Sequence, residues 1–151
     1  MPTRYNGTPD EVLALDTVIK LTRSLNSLQA RLIPHLHKDF GITESQFGVL
    51  EALLHLGPLS QGQLSHKILR SGSNLTTVVD NLERDGLVAR VRDEADRRVQ
   101  IVHLTEKGRC LVARAFPEHV ERVAGLMRTL TCDEQRELGR MCRKLGNAAT
   151  E

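Results

Sequence analysis

The sequence predicts a mainly α-helical chain carrying one small β-hairpin, and three observations predict it. Ser or Thr stands three residues ahead of Glu or Gln at Thr8/Glu11, Thr43/Gln46, Ser60/Gln63 and Thr131/Glu134, and each such box satisfies orphan amides at a helix start. Between the boxes, leucine-rich positions recur near the helical period. Two β-branched runs, LVARVR at 87–92 and RRVQIVHL at 97–104, are joined by DEAD at 93–96, the pattern of a hairpin.

The first helix opens at Pro9, a residue suited to that position because the amide it lacks would have no partner there. Val12, Leu15, Ile19, Leu25, Leu28, Leu32 and Leu36 carry its apolar stripe to about Lys38, a length on the order of 45 Å at 1.5 Å per residue. Pro34 is expected to kink or shorten its end. Gly41 breaks the pattern, and a second helix runs from Glu44 to about Leu56 on Phe47, Leu50, Leu53 and Leu54, closed by Gly57-Pro58.

A short helix follows from Gln61 to about Leu69, then a tight turn at Arg70-Ser71-Gly72. Ser73 is expected to cap a helix over Asn74–Asp85 that Gly86 closes. Two short helices around a glycine-containing turn form a helix-turn-helix, with the hairpin directly behind it. Thr105 caps a further helix to about Leu130, bent at Pro117, and the last box opens a helix from Cys132 to about Leu145. With no repeat or linker in sight, residues 1–151 read as one domain, in which 42–104 is flanked by helical segments 9–38 and 105–147.

Composition narrows the function classes. A chain of 151 residues with 40% hydrophobic and 26% charged content suits one compact domain, or one that shares its core with a second copy. Aromatic residues are 3% of the chain, with no Trp and only Tyr5, which argues against stacking platforms for single-stranded nucleic acid or sugars. Basic side chains number five against six acidic over 1–59, eight against seven over 60–108 and eight against six over 109–151, so any electrostatic case rests on placement. Cys110, Cys132 and Cys142 form no CxxC pair. Neither a signal peptide nor a membrane-spanning run is seen, so a cytoplasmic protein with no membrane partner is expected.

Over 74–85, Leu75, Val78, Val79 and Leu82 share one stripe and face inward. Asn74, Thr77, Asn81 and Arg84 occupy the other face, with Ser73 and Thr76 at the helix start. Short hydrogen-bonding side chains at the start of the second helix are what a major groove requires, since base edges are met there; a merely solvated face is the competing reading. Behind it, Arg90, Arg92, Arg97 and Arg98 are cations that a hairpin tip could lay along a minor groove. On an extended strand Asp96 and Arg98 point to one side and Arg97 to the other, so that the carboxylate can orient the Arg98 guanidinium.

These residues carry a resemblance. ITESQFGVLEAL, LSQGQLSHKI, SNLTTVVDNLERDGLVAR and RDEADRRVQIVHLTEKG, within residues 42–108, closely resemble the winged helix-turn-helix of multiple antibiotic resistance (MarR) type regulators. The combination of DNLERDGLVAR, D-x-x-D-R-R and LTEKG is far more specific than its pieces, while the flanking helices match in length and place. The resemblance implies a homodimeric, effector-responsive transcriptional regulator, usually a repressor, without catalysis or cofactor. It implies a recognition helix over 73–84, a wing over 87–104, dimerisation helices at both ends, and Asp96 and Arg98 acting together at the minor groove. Thr77 departs from the arginine common in the family, which makes base readout more neutral. The operator implied is a pseudo-palindrome in double-stranded DNA with half-sites roughly one helical turn apart.

The resemblance also implies a small aromatic or amphipathic effector between the dimerisation helices and the winged region, for which Arg31, His35, His55 and His66 are the candidate polar contacts. No metal site is expected, since His35 and His37 diverge on their helix and His119 has no partner at helical spacing. Cys132 lies in the first turn of the last helix near Arg128 and Arg136, a setting that favours oxidation. A redox-responsive regulator of the same fold, and a winged-helix protein-interaction module without DNA binding, therefore stand as alternatives. An enzyme with Cys132 as nucleophile lacks any glycine loop of oxyanion type.

Overall fold

The computed structural model describes residues 4–68 and 74–148. Along the chain come α1 (Pro9–Phe40), α2 (Glu44–Leu56), β1 (Leu59–Ser60), α3 (Gln61–Lys67), α4 (Leu75–Arg84), β2 (Val88–Arg92), β3 (Gln100–Leu104), α5 (Glu106–Met127) and α6 (Cys132–Ala148). All four capping boxes form: the side chains of Thr8, Thr43 and Ser60 each accept from the amide three residues on, with the reciprocal bond in place. At the fourth, the Thr131 amide donates to Glu134 Oε2 at 2.7 Å and the Glu134 amide to Thr131 Oγ1 at 3.2 Å.

Neither interior proline ends its helix. Pro34 lies inside α1, which runs on to Phe40, and Pro117 lies inside α5. Directly after Pro34, His35 and Leu36 are buried in the core. Their burial offsets a proline penalty of about 3 kcal/mol, as a single large apolar side chain contributes about 1.5–3 kcal/mol. The end of α1 falls instead at Gly41, whose φ of 67° is left-handed and whose amide donates to the His37 carbonyl.

Two further expectations shift by a few residues. The cap of α4 is Asn74, whose Oδ1 accepts from the Thr77 amide, rather than Ser73. Ser73, the turn at Arg70-Ser71-Gly72 and Leu69 lie outside the described residues. The third strand in sequence begins at Gln100 rather than Arg97, so both arginines of the RR pair belong to the loop. The hairpin pairs antiparallel from Val88↔Leu104 to Arg92↔Gln100. A strand the sequence did not announce, β1, pairs with β3 through Leu59↔Val102 and Ser60↔Ile101, giving the order β1-β3-β2.

The core gathers the end of α1, α2, α3, the inner stripe of α4, the sheet and the first half of α5, with Leu36, Leu50, Leu53, Leu64 and Leu82 wholly buried. Outside it stand the first turns of α1, which expose Leu13, Leu15, Val18, Leu21 and Leu25, and α6, which buries no residue. No helix of the described residues is long and apolar enough to cross a membrane.

The DGL and LTEKG segments of the sequence meet in space. Gly86, at φ 73°, turns the chain out of α4. Thr105 Oγ1 donates to the Gly86 carbonyl at 2.6 Å and accepts from the Gly108 amide at 3.1 Å, while the Thr105 amide donates to the Leu87 carbonyl at 3.1 Å. Lys107 Nζ adds a bond to the Asp85 carbonyl at 2.8 Å. At Gly108 a Cβ would lie 1.9 Å from the Leu87 carbonyl oxygen, so only glycine lets α5 approach this closely. Gly108→Ala should therefore destabilise the fold by about 3 kcal/mol or more. Gly125→Ala, in the same helix with nothing within 4 Å, should stabilise it by about 0.5–1 kcal/mol. Denaturant unfolding of the two variants checks both signs, and equal effects would contradict the close approach.

Candidate nucleic-acid interface

Helix α4 buries Val79 and Leu82 and leaves Thr76, Thr77 and Arg84 exposed, with Asn81 half-buried. Asn74 is exposed, but its side-chain oxygen is occupied as the helix cap, which withdraws one acceptor from the outward face. Arg84 lies against Asp85 at 3.4 Å while remaining 72% exposed, so the pair costs little to open. A contact the sequence did not reveal joins the two short helices: Gln61 Nε2 donates to Thr76 Oγ1 at 2.8 Å and holds the first turn of α4 against the start of α3. Its signal would have been long-range, fifteen residues apart on different helices.

The hairpin tip is shaped by its two aspartates. Asp93 Oδ1 accepts from the Ala95 amide at 3.3 Å, and Asp96 Oδ1 accepts from the Arg98 amide at 3.0 Å. The backbone closes with Asp93 donating to the Val99 carbonyl and Val99 to the Asp96 carbonyl. Asp96 therefore orients Arg98 through its backbone, not through the guanidinium as strand alternation suggested. Short carboxylates two residues ahead of an amide form such turns in preference to extended strand.

Arg90 leaves the set of available cations. Its side chain is only 15% exposed, and its guanidinium pairs with Asp80 and Glu83 on α4 while its amide donates to Glu83 Oε2 at 3.2 Å. The arginine is thus a strut that ties β2 to Asp80 and Glu83 of α4. Arg92, Arg97 and Arg98 make no ion pair among the described residues, and with Gln61, Ser65 and Gln100 they line one open cleft between α3 and the hairpin. Three cations and no carboxylate face that cleft, an arrangement that suits an anionic backbone.

The four candidate effector contacts do not converge. Arg31 and His66 are exposed, and His55 is exposed with Nδ1 at 2.9 Å from the Glu51 carbonyl and its ring edge-on to Phe116. Only His35 is interior, its Nε2 3.2 Å from Nδ1 of His119, a partner that sequence spacing could not supply because it comes from α5. Burial pushes both imidazoles below their ordinary range, helped by Arg122 at His35 and by His35 at His119. His119 in turn lines a cavity of about 200 Å³ among α1, α2 and α5, walled by Leu32, Ile33, Phe47 and Ile68 with Glu51 at one side. Cys132 is exposed, and the Arg136 guanidinium beside it is turned to Asp133 at 2.7 Å.

A helix-turn-helix whose second helix presents polar side chains, backed by a wing whose arginines line a cleft against α3, defines a winged helix-turn-helix of the nucleic-acid-binding type. Residues 42–99 match the MarR family model. The HTH-type transcriptional regulator MhqR of Bacillus subtilis (strain 168) is 33% identical over 133 residues, covering 88% of this chain and 91% of that one. Among solved structures, the MepR–DNA complex of S. aureus is similar with a TM-score of 0.75 and 25% identity, covering 85% of this chain and 96% of that one. The PcaV transcriptional regulator from Streptomyces coelicolor, in complex with its natural ligand, matches with a TM-score of 0.72 and 25% identity over 99% of each chain. The chain belongs to the MarR family of HTH-type transcriptional regulators.

Arg90→Ala should lower stability by about 1–3 kcal/mol, as expected when a charged group loses its hydrogen bonds. Because Arg90 faces α4 and not the cleft, the slope of log affinity for double-stranded DNA against log salt should stay that of the parent protein. A slope reduced as for loss of a phosphate contact would return Arg90 to the interface.

Proposed function

We propose that two copies of this chain bind a pseudo-palindromic operator in double-stranded DNA, with α4 of each copy in the major groove and each wing at the adjacent minor groove. The observation that carries this reading is that Gln61 lines the cleft of Arg92, Arg97 and Arg98, which make no ion pair among the described residues, and bonds Thr76 on the outward face of α4 with Thr77, Asn81 and Arg84. Thr77 and Asn81 read base edges, Arg97 and Arg98 the minor groove and its phosphates, and Arg92 the backbone beside α3. Asp96 shapes the tip that presents Arg98. The reading assigns the chain no catalytic role; among the described residues no thiol is hydrogen-bonded to a histidine.

Dimerisation accounts for the exposed stripe on α1 and for α6, whose Met141 and Leu145 lie on the surface. Segments 9–38 and 105–147 are the dimerisation helices of this reading, and the sense of regulation is repression by occupancy of promoter DNA. The cavity lined by His119 lies between α1 and the winged region, where a small aromatic or amphipathic effector would shift the spacing of the two α4 helices. In MepR the family fold has been solved with DNA, and in PcaV with a natural ligand; a location in the cytoplasm follows from such a role.

The test is binding of the purified protein to promoter DNA flanking its own gene, across a salt series and against unrelated competitor DNA. Specific binding that weakens steeply with salt is expected. Arg98→Ala should cost more than about 1 kcal/mol, beyond an ordinary exposed ion pair, and leave the dimer folded. Affinity indistinguishable from competitor, with a flat salt response, would favour a winged-helix module for a protein partner.

A further inference from the structure

The end of α1 and the middle of α5 bring together a cluster that the DNA-binding reading does not use. A ring nitrogen of His35 and one carboxylate oxygen each of Asp39 and Glu118 lie within 4.8 Å of one another. His35 and Asp39 stand four residues apart, one above the other on the same helix face. Glu118 faces them from α5, next to His119.

The state of His35 gives this cluster its meaning. The residue is 5% exposed, and its Nδ1 is buried without a hydrogen-bond partner. Nε2 is engaged with His119 Nδ1 at 3.2 Å. With the shared proton on His35 Nε2, Nδ1 is a bare lone pair held away from water, an arrangement that costs free energy unless something accepts it. A ligating imidazole commonly donates its second N–H to an outer partner in this way.

We propose that His35, Asp39 and Glu118 form a binding site for one divalent transition-metal ion, with His119 as the outer partner that fixes the His35 ring. Ligand atoms about 2.0–2.2 Å from one ion sit roughly 3–4.4 Å apart, so small rotations of the two exposed carboxylates close the set. One imidazole with two carboxylates suits Zn²⁺ or Mn²⁺, with water completing the shell on the solvent side. Arg122, 3.9 Å from the Asp39 carboxylate, is the competing cation of the cluster. A bound ion would tie the end of α1 to α5.

The test is calorimetric titration of the full-length, tag-free, chelator-stripped protein with Zn²⁺ and, separately, Mn²⁺. One ion per chain is expected, with Asp39→Asn and Glu118→Gln each weakening affinity about tenfold or more. Arg122→Gln should strengthen it by removing the competing charge. His35→Gln should abolish binding; should that variant unfold, the two surface carboxylate variants decide. No saturable binding of either ion would overturn the site, as would binding that neither carboxylate exchange changes, which would place the ion at the exposed thiols or elsewhere. Carboxylates that serve only Arg122 would show no gain in Arg122→Gln.

Discussion

The Thr105 hydroxyl is the point on which the winged helix-turn-helix half of the molecule turns. It donates to the carbonyl of Gly86, just past the end of α4, and accepts from the amide of Gly108 in the first turn of α5. One side chain thereby joins the end of α4, the root of the wing and the start of the long α5. Gly86 supplies the left-handed turn and Gly108 the absent Cβ, so the three residues act only as a set. Because α5 belongs to the proposed dimer interface, the latch makes the spacing of two recognition helices a property of how two copies pack.

A second constraint sorts the charges. Over 60–108 basic and acidic side chains nearly balance, eight against seven, a poor footing for nucleic-acid binding if charge is only counted. The structure shows that the balance is spatially divided. Asp80 and Glu83 pair with Arg90, Asp93 and Asp96 accept from backbone amides of the wing tip, and Lys107 donates to the Asp85 carbonyl. What remains for the solvent side of the α3–wing cleft is Arg92, Arg97 and Arg98. The amide bonds to Asp93 and Asp96 fix the shape of the tip, and the cleft beside it is lined by three arginines and no carboxylate.

Much of this was legible in the sequence because it is local. Capping boxes, Gly41 and Gly57, and the inward stripe of α4 all act over three to seven residues, and the helices fall where they place them. The hairpin was legible as two β-branched runs, but its tip was not, since side-chain acceptance by Asp93 and Asp96 overrides strand alternation over the same residues. Pro34 does not shorten α1, because burial of the residues directly after it outweighs a local penalty. The contacts between distant segments were not readable at all: β1 has two residues and no period, Gln61 meets Thr76 across a turn, Arg90 reads as one more wing cation, and His119 finds His35 from eighty-four positions away. The LTEKG segment was recognised as a motif, yet its reason, the Thr105 and Gly108 latch, exists only in three dimensions.

Hydroxyl-radical footprinting of the protein on the promoter DNA that it binds tests the central claim most directly. Two recognition helices and two wings held in a fixed dimer predict protected patches on both strands, related by two-fold symmetry and repeating at about one helical turn. Asymmetric protection of a single patch, or uniform weak protection along the fragment, would contradict a symmetric dimer reading an operator through α4 and the wing.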